Sequence, residues 1–440
     1  MLPVSNPTAS YWRGEPHWLD QHRSTEQLPT QADIVIIGAG IAGVSTVYHL
    51  VNRHRGDNAP QPSILLLEAR QVCSGATGRN GGHIKKLPST IQELIDYHGN
   101  ADAGEIIEFV RSNIYSVKGV IEQEGIEADA ELRRSFDVSL TKDDADTVQQ
   151  NFQKQLRTGF PLTEDIGYVG EKFAERITSI HGAKAGLSTP VLSLWPYKFV
   201  TQLLERAMAK GNINLQTNTP VTAIDPGSEY TVHTPRGSVR TPVVVHATNG
   251  YAAGLLSQYD GVITPAKATA SHIAVPQGNR VPYLSNTYNI RYTSSRVDYL
   301  NPRPDGGIVV GGGKWTYQGD RRLWYNNYDD STLIEPARHY FDGLMQHNFR
   351  GWEESGAFTD SVWTGIQGIT HDGMPHVGKV PGTVGQFVLA GYNGGGMALA
   401  FMAAQGVARM INEGIEFEET GIPRVMKTTE PRLKLHNPAC

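Results

Sequence analysis

Apolar positions run unbroken from Ile34 to Ile37, pass through a glycine-rich turn, and then recur at Val44, Val47, Leu50 and Val51. The unbroken run predicts a buried strand, and the three-to-four spacing after it predicts a helix with one apolar stripe. A second run, "SILLLEA" from Ser63, follows the polar loop at 52–62, so this stretch predicts a βαβ unit with parallel strands and a right-handed crossover. From about Ile91 to Leu156 the spacing turns helical and charge-rich, as in "IQELIDYHG", which predicts an inserted helical layer. A helix is predicted through "YKFVTQLLERAMAKG", then short strands in "INLQTNTPVTAIDP", "YTVHTPRG" and "VVVHATNGY". Between about Gly261 and Gly313, "SHIAVP", "YNIRYTSS" and "GGIVVGGG" predict an antiparallel sheet. "QFVLAGYNGGGMALAFMAAQGVARMINEG" is again strand, glycine turn, helix. The polar arm of residues 1–31 carries Tyr11, Trp12 and Trp18, aromatics expected to dock it onto a domain surface.

Composition narrows the possibilities. The 440 residues suffice for two or three compact units. A net charge of −5 gives no basic excess for nucleic acid or an anionic membrane, so a small-molecule partner is expected. Two cysteines, Cys73 and Cys440, argue against a disulfide framework and a Cys-rich zinc site. With no signal-peptide pattern and no apolar run near the ~20 residues of a membrane span, the expected location is cytoplasmic. The spacing of His371, Asp372 and His376 matches no common metal motif, and no metal is expected.

Gly38, Gly40 and Gly43 form G-x-G-x-x-G between the predicted strand and helix, the context in which that spacing binds a dinucleotide. The first glycine makes the tight turn, the second admits the pyrophosphate to the backbone of Ile41 and Ala42, and the third lets helix and strand approach. Glu68 closes the second strand, where a carboxylate can accept from the ribose hydroxyls, with Ala69 and Arg70 beside it. The loop "GATGRNGGH" leaves that strand end, so Gly75, Ala76, Thr77, Arg79, Asn80, Gly81, Gly82 and His83 are expected to track a ligand longer than NAD, one with a ribityl chain and flavin ring. At the other end Gly394, Gly395, Gly396 and Met397 open a helix whose N-terminus would favour the electron-rich edge of a reduced flavin.

In order, "IVIIGAGIAG", "LLLEA", "GATGRNGG", "VVVHATNGY", "WTGIQGITHDGMPHVG" and "GYNGGGMALA" resemble the FAD-dependent amine oxidases of the D-amino-acid/sarcosine/glycine oxidase superfamily (the DAO superfamily), and the loop is most similar to its γ-glutamylputrescine-oxidase-type branch. The resemblance implies an α/β fold: a Rossmann-type FAD-binding domain on a mostly parallel sheet, and an α+β substrate domain whose antiparallel sheet covers the flavin. The expected FAD-binding segments are 1–92, 183–256 and 360–440, and the expected substrate-domain segments are 93–182 and 257–359. Val221, Thr248 and Gly250 are added as cofactor contacts, and Asp372 as holding a loop over the flavin. Gly365 stands where the sarcosine oxidase type carries its flavin-linking cysteine, so FAD is expected to be noncovalent, with His83 or Cys73 as alternative attachment points. Ala398 replaces that type's carboxylate-binding lysine, which argues against a small α-amino acid.

The implied chemistry is oxidation of a C–H beside an amine nitrogen, giving an imine, with O2 expected to be reduced to H2O2. Tyr292, Tyr299, Trp315 and Tyr392 are candidate pocket walls. His83 is expected near the ring, Arg291 and Arg303 could take an acidic tail, and Lys314 is the candidate for assisting O2. Two other readings stay open: a dehydrogenase with another acceptor, and a flavin-bearing binding protein without turnover.

Overall fold

A computed structural model describes residues 1–52, 61–160 and 163–437; most of the predicted polar loop at 52–62, and Cys440, lie outside the described residues. The first strand, β1 (Ile34–Ile37), is buried at every position, leads into helix α1 (Ile41–Asn52), and pairs in parallel with β2 (Ile64–Leu67). These lie in a six-stranded sheet in the order His376–Lys379, Gln386–Ala390, Val243–His246, β1, β2, Ile213–Gln216; only the first pair is antiparallel. Side chains alternate across it as a strand requires. Ile34, Ile36, Ile64 and Leu66 share a core with α1 and the helices Pro196–Lys210 and Ala400–Glu413. Val35, Ile37, Leu65 and Leu67 face Val232 and Val239 of a small antiparallel sheet. Both faces are therefore covered, which is why these strands carry no polar alternation.

The second sheet has nine strands. β3 (His83–Ile84) lies at one end beside Ala185–Ser193, followed by β4 (Glu131–Ser139), Thr287–Thr293, Arg296–Pro302, Ile308–Gly311, Thr264–Ala274 and Phe358–Ile369; Gly167–Val169 also pairs with Ala185–Ser193. The expected antiparallel pattern holds with one exception, because Thr287–Thr293 runs parallel to β4. The helical layer expected over 91–156 is interrupted by β4, between α2 (Ile91–Glu124) and the helix Lys142–Arg157. β4 buries Ser135, Asp137 and Ser139, whose polarity hides the strand from a hydropathy reading. The C-terminal α-helix begins at Ala400, preceded by a 3-10 turn at Gly396–Ala398, three residues later than the pattern near Met397 suggests.

The N-terminal arm is built into the molecule rather than laid over it. Trp12 is fully buried, its indole N–H donates to the Asn80 carbonyl at 2.5 Å, and its own carbonyl accepts from the Trp195 indole at 2.6 Å. Tyr11 stacks on His272 with centroids 4.0 Å apart. Trp18 does not dock in this way: it is 58% exposed. No helix among the described residues is long and apolar enough to cross a membrane.

Candidate active site

A cavity of about 570 Å³ runs between the two sheets, from the end of β1 to the start of α2. At its first end Gly38 adopts φ +107, and a Cβ there would lie 2.6 Å from the Ala247 carbonyl. A Cβ on Gly43 would run into the Gly38 carbonyl, so the third glycine serves helix–strand contact and lies behind the lining. Gly40, Ile41 and Ala42 line the cavity where the first turn of α1 presents N–H groups without helical partners. Glu68 is aimed by two backbone donors: Oε2 accepts from Ala39 at 2.8 Å and Oε1 from Arg70 at 2.9 Å. Ala69, Arg70, Val221 and Thr248 complete this end.

The glycine loop follows the cavity wall. Gly75, Ala76, Thr77, Arg79, Asn80 and Gly81 line it, whereas Gly82 packs on Trp12, where a Cβ would meet the indole at 2.7 Å. The Arg79 guanidinium is engaged in holding the loop: it donates to the Ser74 and Thr364 carbonyls, both at 2.8 Å, and stands 3.6 Å from Asp330. Burial lowers its pKa to about 10, which leaves it charged at neutral pH. Asn80 closes a local turn, donating to the Thr77 carbonyl at 2.8 Å and accepting from Gly82 N–H at 2.7 Å.

At the far end His83, Tyr299 and Tyr392 line the cavity with Gly394, Gly395, Gly396 and Met397. His83 meets Tyr299 edge to face at 5.5 Å, and a Cβ on Gly81 would fall 2.5 Å from the Tyr299 ring. Both His83 nitrogens and the Tyr392 hydroxyl are buried here without a hydrogen-bond partner among the described residues, as are Thr248 Oγ1 and the Tyr251 hydroxyl nearer the Glu68 end. Burial, then nearby Lys85, Arg303 and Arg133, hold the His83 pKa well below the usual imidazole value, so the ring is neutral. Burial raises the Tyr299 and Tyr392 phenols.

Other sequence candidates lie away from the lining. Arg291 does not face the cavity; it forms a buried bidentate pair with Asp144 at 2.7 and 2.9 Å. Arg303 donates to Ser193 Oγ at 2.9 Å and lies over the Trp12 ring. Lys314 sits over Trp324, 4.4 Å from the ring centroid. Tyr292 and Trp315 pack against each other, with centroids 5.7 Å apart. Gly250 lies against the Gln367 carbonyl. Asp372 pairs with Arg432 at 2.7 Å and accepts from Met374 N–H at 3.1 Å, so it shapes the loop whose Gly373 and Met374 do line the cavity. Cys73 is buried behind the lining, its thiol pushed up by desolvation. Sequence reasoning passed over Lys85, Lys86, Asn289 and Gln367, all of which line the cavity. The adjacent lysines directly after a glycine loop were the available signal.

A track of glycines where Cβ atoms would intrude, two helix N-terminal turns and orphaned polar atoms at the far end fit a ligand that is phosphate-rich at one end and a polar ring at the other. That arrangement defines a flavin-dinucleotide protein. The chain matches the DAO family, FAD dependent oxidoreductase, over residues 33–410, and it belongs to that family; its cofactor is FAD. Mitochondrial sarcosine dehydrogenase of Homo sapiens is 25% identical over 406 residues, covering 88% of this chain and 40% of that protein, so the chain spans about two fifths of that relative's length. Among solved structures, L-proline dehydrogenase from P.horikoshii superposes with a TM-score of 0.67 at 19% identity, covering 88% of this chain and 95% of that one. Glycine oxidase from Geobacillus kaustophilus gives 0.66 at 18% identity, covering 88% and 96%.

Proposed function

We propose that the protein oxidises the C–H bond next to the nitrogen of a small amine, with O2 as the electron acceptor and noncovalently held FAD. The observation that carries this reading is the far end of the cavity, where Gly81 lies against both the Tyr299 and His83 rings and where the His83 nitrogens and the Tyr392 hydroxyl are buried without a hydrogen-bond partner among the described residues. Bound FAD supplies the acceptor for the hydride equivalent lost from the substrate carbon.

The chain supplies position and surroundings. Tyr299 and Tyr392 exclude water, and a low-dielectric wall favours the neutral amine, whose lone pair is needed to form the iminium. His83 has both ring nitrogens without a hydrogen-bond partner among the described residues and can donate one hydrogen bond and accept another without adding charge. Arg79, Asn80 and Thr77 hold the loop that carries it. The loop motif supports placement near the γ-glutamylputrescine-oxidase-type branch. A dehydrogenase using another acceptor is the second reading, favoured by Lys314 lying on Trp324 instead of in the cavity.

The test is the visible spectrum of purified protein before and after acid precipitation, followed by an anaerobic amine screen. Expected are a flavin spectrum whose chromophore leaves with the supernatant and bleaching by at least one amine; H2O2 yield on adding air then separates O2 from other acceptors. A protein that takes up no flavin, or one that no amine bleaches, refutes the proposal.

A further inference from the structure

Among the buried residues of α2 from Ala103 to Ile121, Asn113 is the one polar side chain, and it is fully buried. It shares a stripe with Ile106, Val110 and Val117, spaced four, three and four residues apart along one helix face. Asparagine is a poor helix former, and a carboxamide buried on an apolar face costs free energy unless both its ends find partners. Both do, at the start of the C-terminal helix Ala400–Glu413: Nδ2 donates to the Met397 carbonyl at 3.1 Å, and Oδ1 accepts from Met402 N–H at 3.1 Å. A carbonyl only accepts and an N–H only donates, so the two partners fix which way the amide faces.

The C-terminal helix has no cap of its own. Leu399, at its N-cap position, makes no side-chain capping bond. Met402 N–H directly precedes the first bond inside the helix, from Ala403 to the Leu399 carbonyl at 3.0 Å, so it belongs to the first turn, whose amides have no helical acceptor. An N-cap side chain would ordinarily take it; here Asn113, 289 residues away along the chain, does so. The other half of the contact holds the 3-10 turn Gly396–Ala398, which lines the cavity together with Ile106 and Val110 of α2. One carboxamide thereby ties two walls of the cavity to each other.

We propose that Asn113 is a positioning residue for the reduction of FAD: it holds the Gly396–Ala398 turn so that the backbone N–H groups at the helix start stay directed into the cavity, and so raises the electron affinity of the cofactor. Asn113 itself is absent from the lining, so it acts through Met397 and Met402 and not by contact with the ligand. The positive end of a helix favours the more negative of two states of a neighbouring group, and FAD gains electron density on reduction. Without Asn113 the Met397 carbonyl and Met402 N–H lose their side-chain partner in a buried setting. The turn can recover new partners only by rotating its peptide groups, which changes the field at the far end of the cavity. The inference requires bound FAD and holds whichever substrate is oxidised.

The test is stepwise anaerobic dithionite reduction of the flavin-loaded protein against a reference dye, which reads the two-electron midpoint potential without any substrate. Variants are Asn113→Leu, which keeps a similar volume and removes both hydrogen bonds, Asn113→Ala, which favours the helix, and Val117→Ala, which opens a hole one turn further along the same stripe and outside the cavity lining. Expected is a reduction equilibrium about tenfold less favourable in both Asn113 variants, a potential about 30 mV lower for two electrons. Val117→Ala is expected to keep the parent potential although its urea midpoint falls. The parent potential in a folded, flavin-loaded Asn113 variant, an equal shift in Val117→Ala, or failure of both Asn113 variants to fold and load flavin overturns the proposal. Dithionite takes the place of substrate, so a protein that no amine bleaches can still show the Asn113 shift, and amine bleaching with an unshifted potential removes this inference alone.

Discussion

The Thr77 hydroxyl accepts the backbone N–H of Ile41 at 3.0 Å, so the glycine loop caps the helix turn that lines the first end of the cavity. The G-x-G-x-x-G turn and the glycine loop are thereby one unit. Thr77→Val keeps the shape and removes the acceptor, and is expected to cost about 1 kcal/mol of stability and to weaken FAD binding roughly fivefold to tenfold at that energy. Thr77→Ser restores both. Equilibrium dialysis with flavin fluorescence reads the difference.

Arg79 joins the loop to Asp330 and to the Thr364 carbonyl on the strand Phe358–Ile369. Arg79→Ala takes the shorter side-chain donor from the Ser74 and Thr364 carbonyls, which keep Arg70 at 3.3 Å and Thr8 at 3.5 Å, and removes one of two cations from Asp330, a loss of about 1.5–3 kcal/mol for hydrogen bonds to a charged group. FAD retention through gel filtration is expected to fall sharply. Arg322, with its side chain 89% exposed, is the matched control. Arg134 is unsuitable for that purpose, because its guanidinium donates to the Asp165 and Ser188 carbonyls at 2.8 and 2.7 Å.

Besides His83, burial holds two further histidines neutral in the fold: His246 is lowered to about 4 and His376 to about 3. The unfolded chain protonates these groups near 6.5 while the folded chain does not, so stability falls as pH drops below about 6.5, by roughly 1.4 kcal/mol per pH unit for each until the folded value is reached. Asp298, raised to about 6 by burial, works in the opposite direction between about 4 and 6. Urea denaturation at pH 7, 6 and 5 is expected to show a shallower acid slope in His246→Asn than in the parent.

Trp12 fills the space beneath Gly82 and bonds to Asn80 and Trp195. Trp12→Ala is expected to cost about 3–5 kcal/mol and to release flavin, since the loop loses its floor. Urea midpoint and flavin stoichiometry check the two effects together. Wild-type flavin content in a destabilised variant would show that the arm supports the core without supporting the loop.

The sequence by itself determined the βαβ unit, the order of glycine turns and the identity of Glu68, because these depend on local chemistry: an unbroken apolar run, glycines where a Cβ cannot fit, and a carboxylate at a strand end. It also made His83, Tyr299 and Tyr392 candidates that the fold gathers at one end of the cavity. Only the tertiary structure decided which cations line the cavity. Arg291 and Lys314 look as available in the sequence as Lys85 and Lys86, yet Asp144 lies 147 residues from Arg291 along the chain and closes on it in space. β4 was hidden for the same reason. Its buried Ser135 and Asp137 are made tolerable by Lys85, Asn289 and Ser89 from distant segments, and pairing between residues far apart leaves no periodic trace in either one.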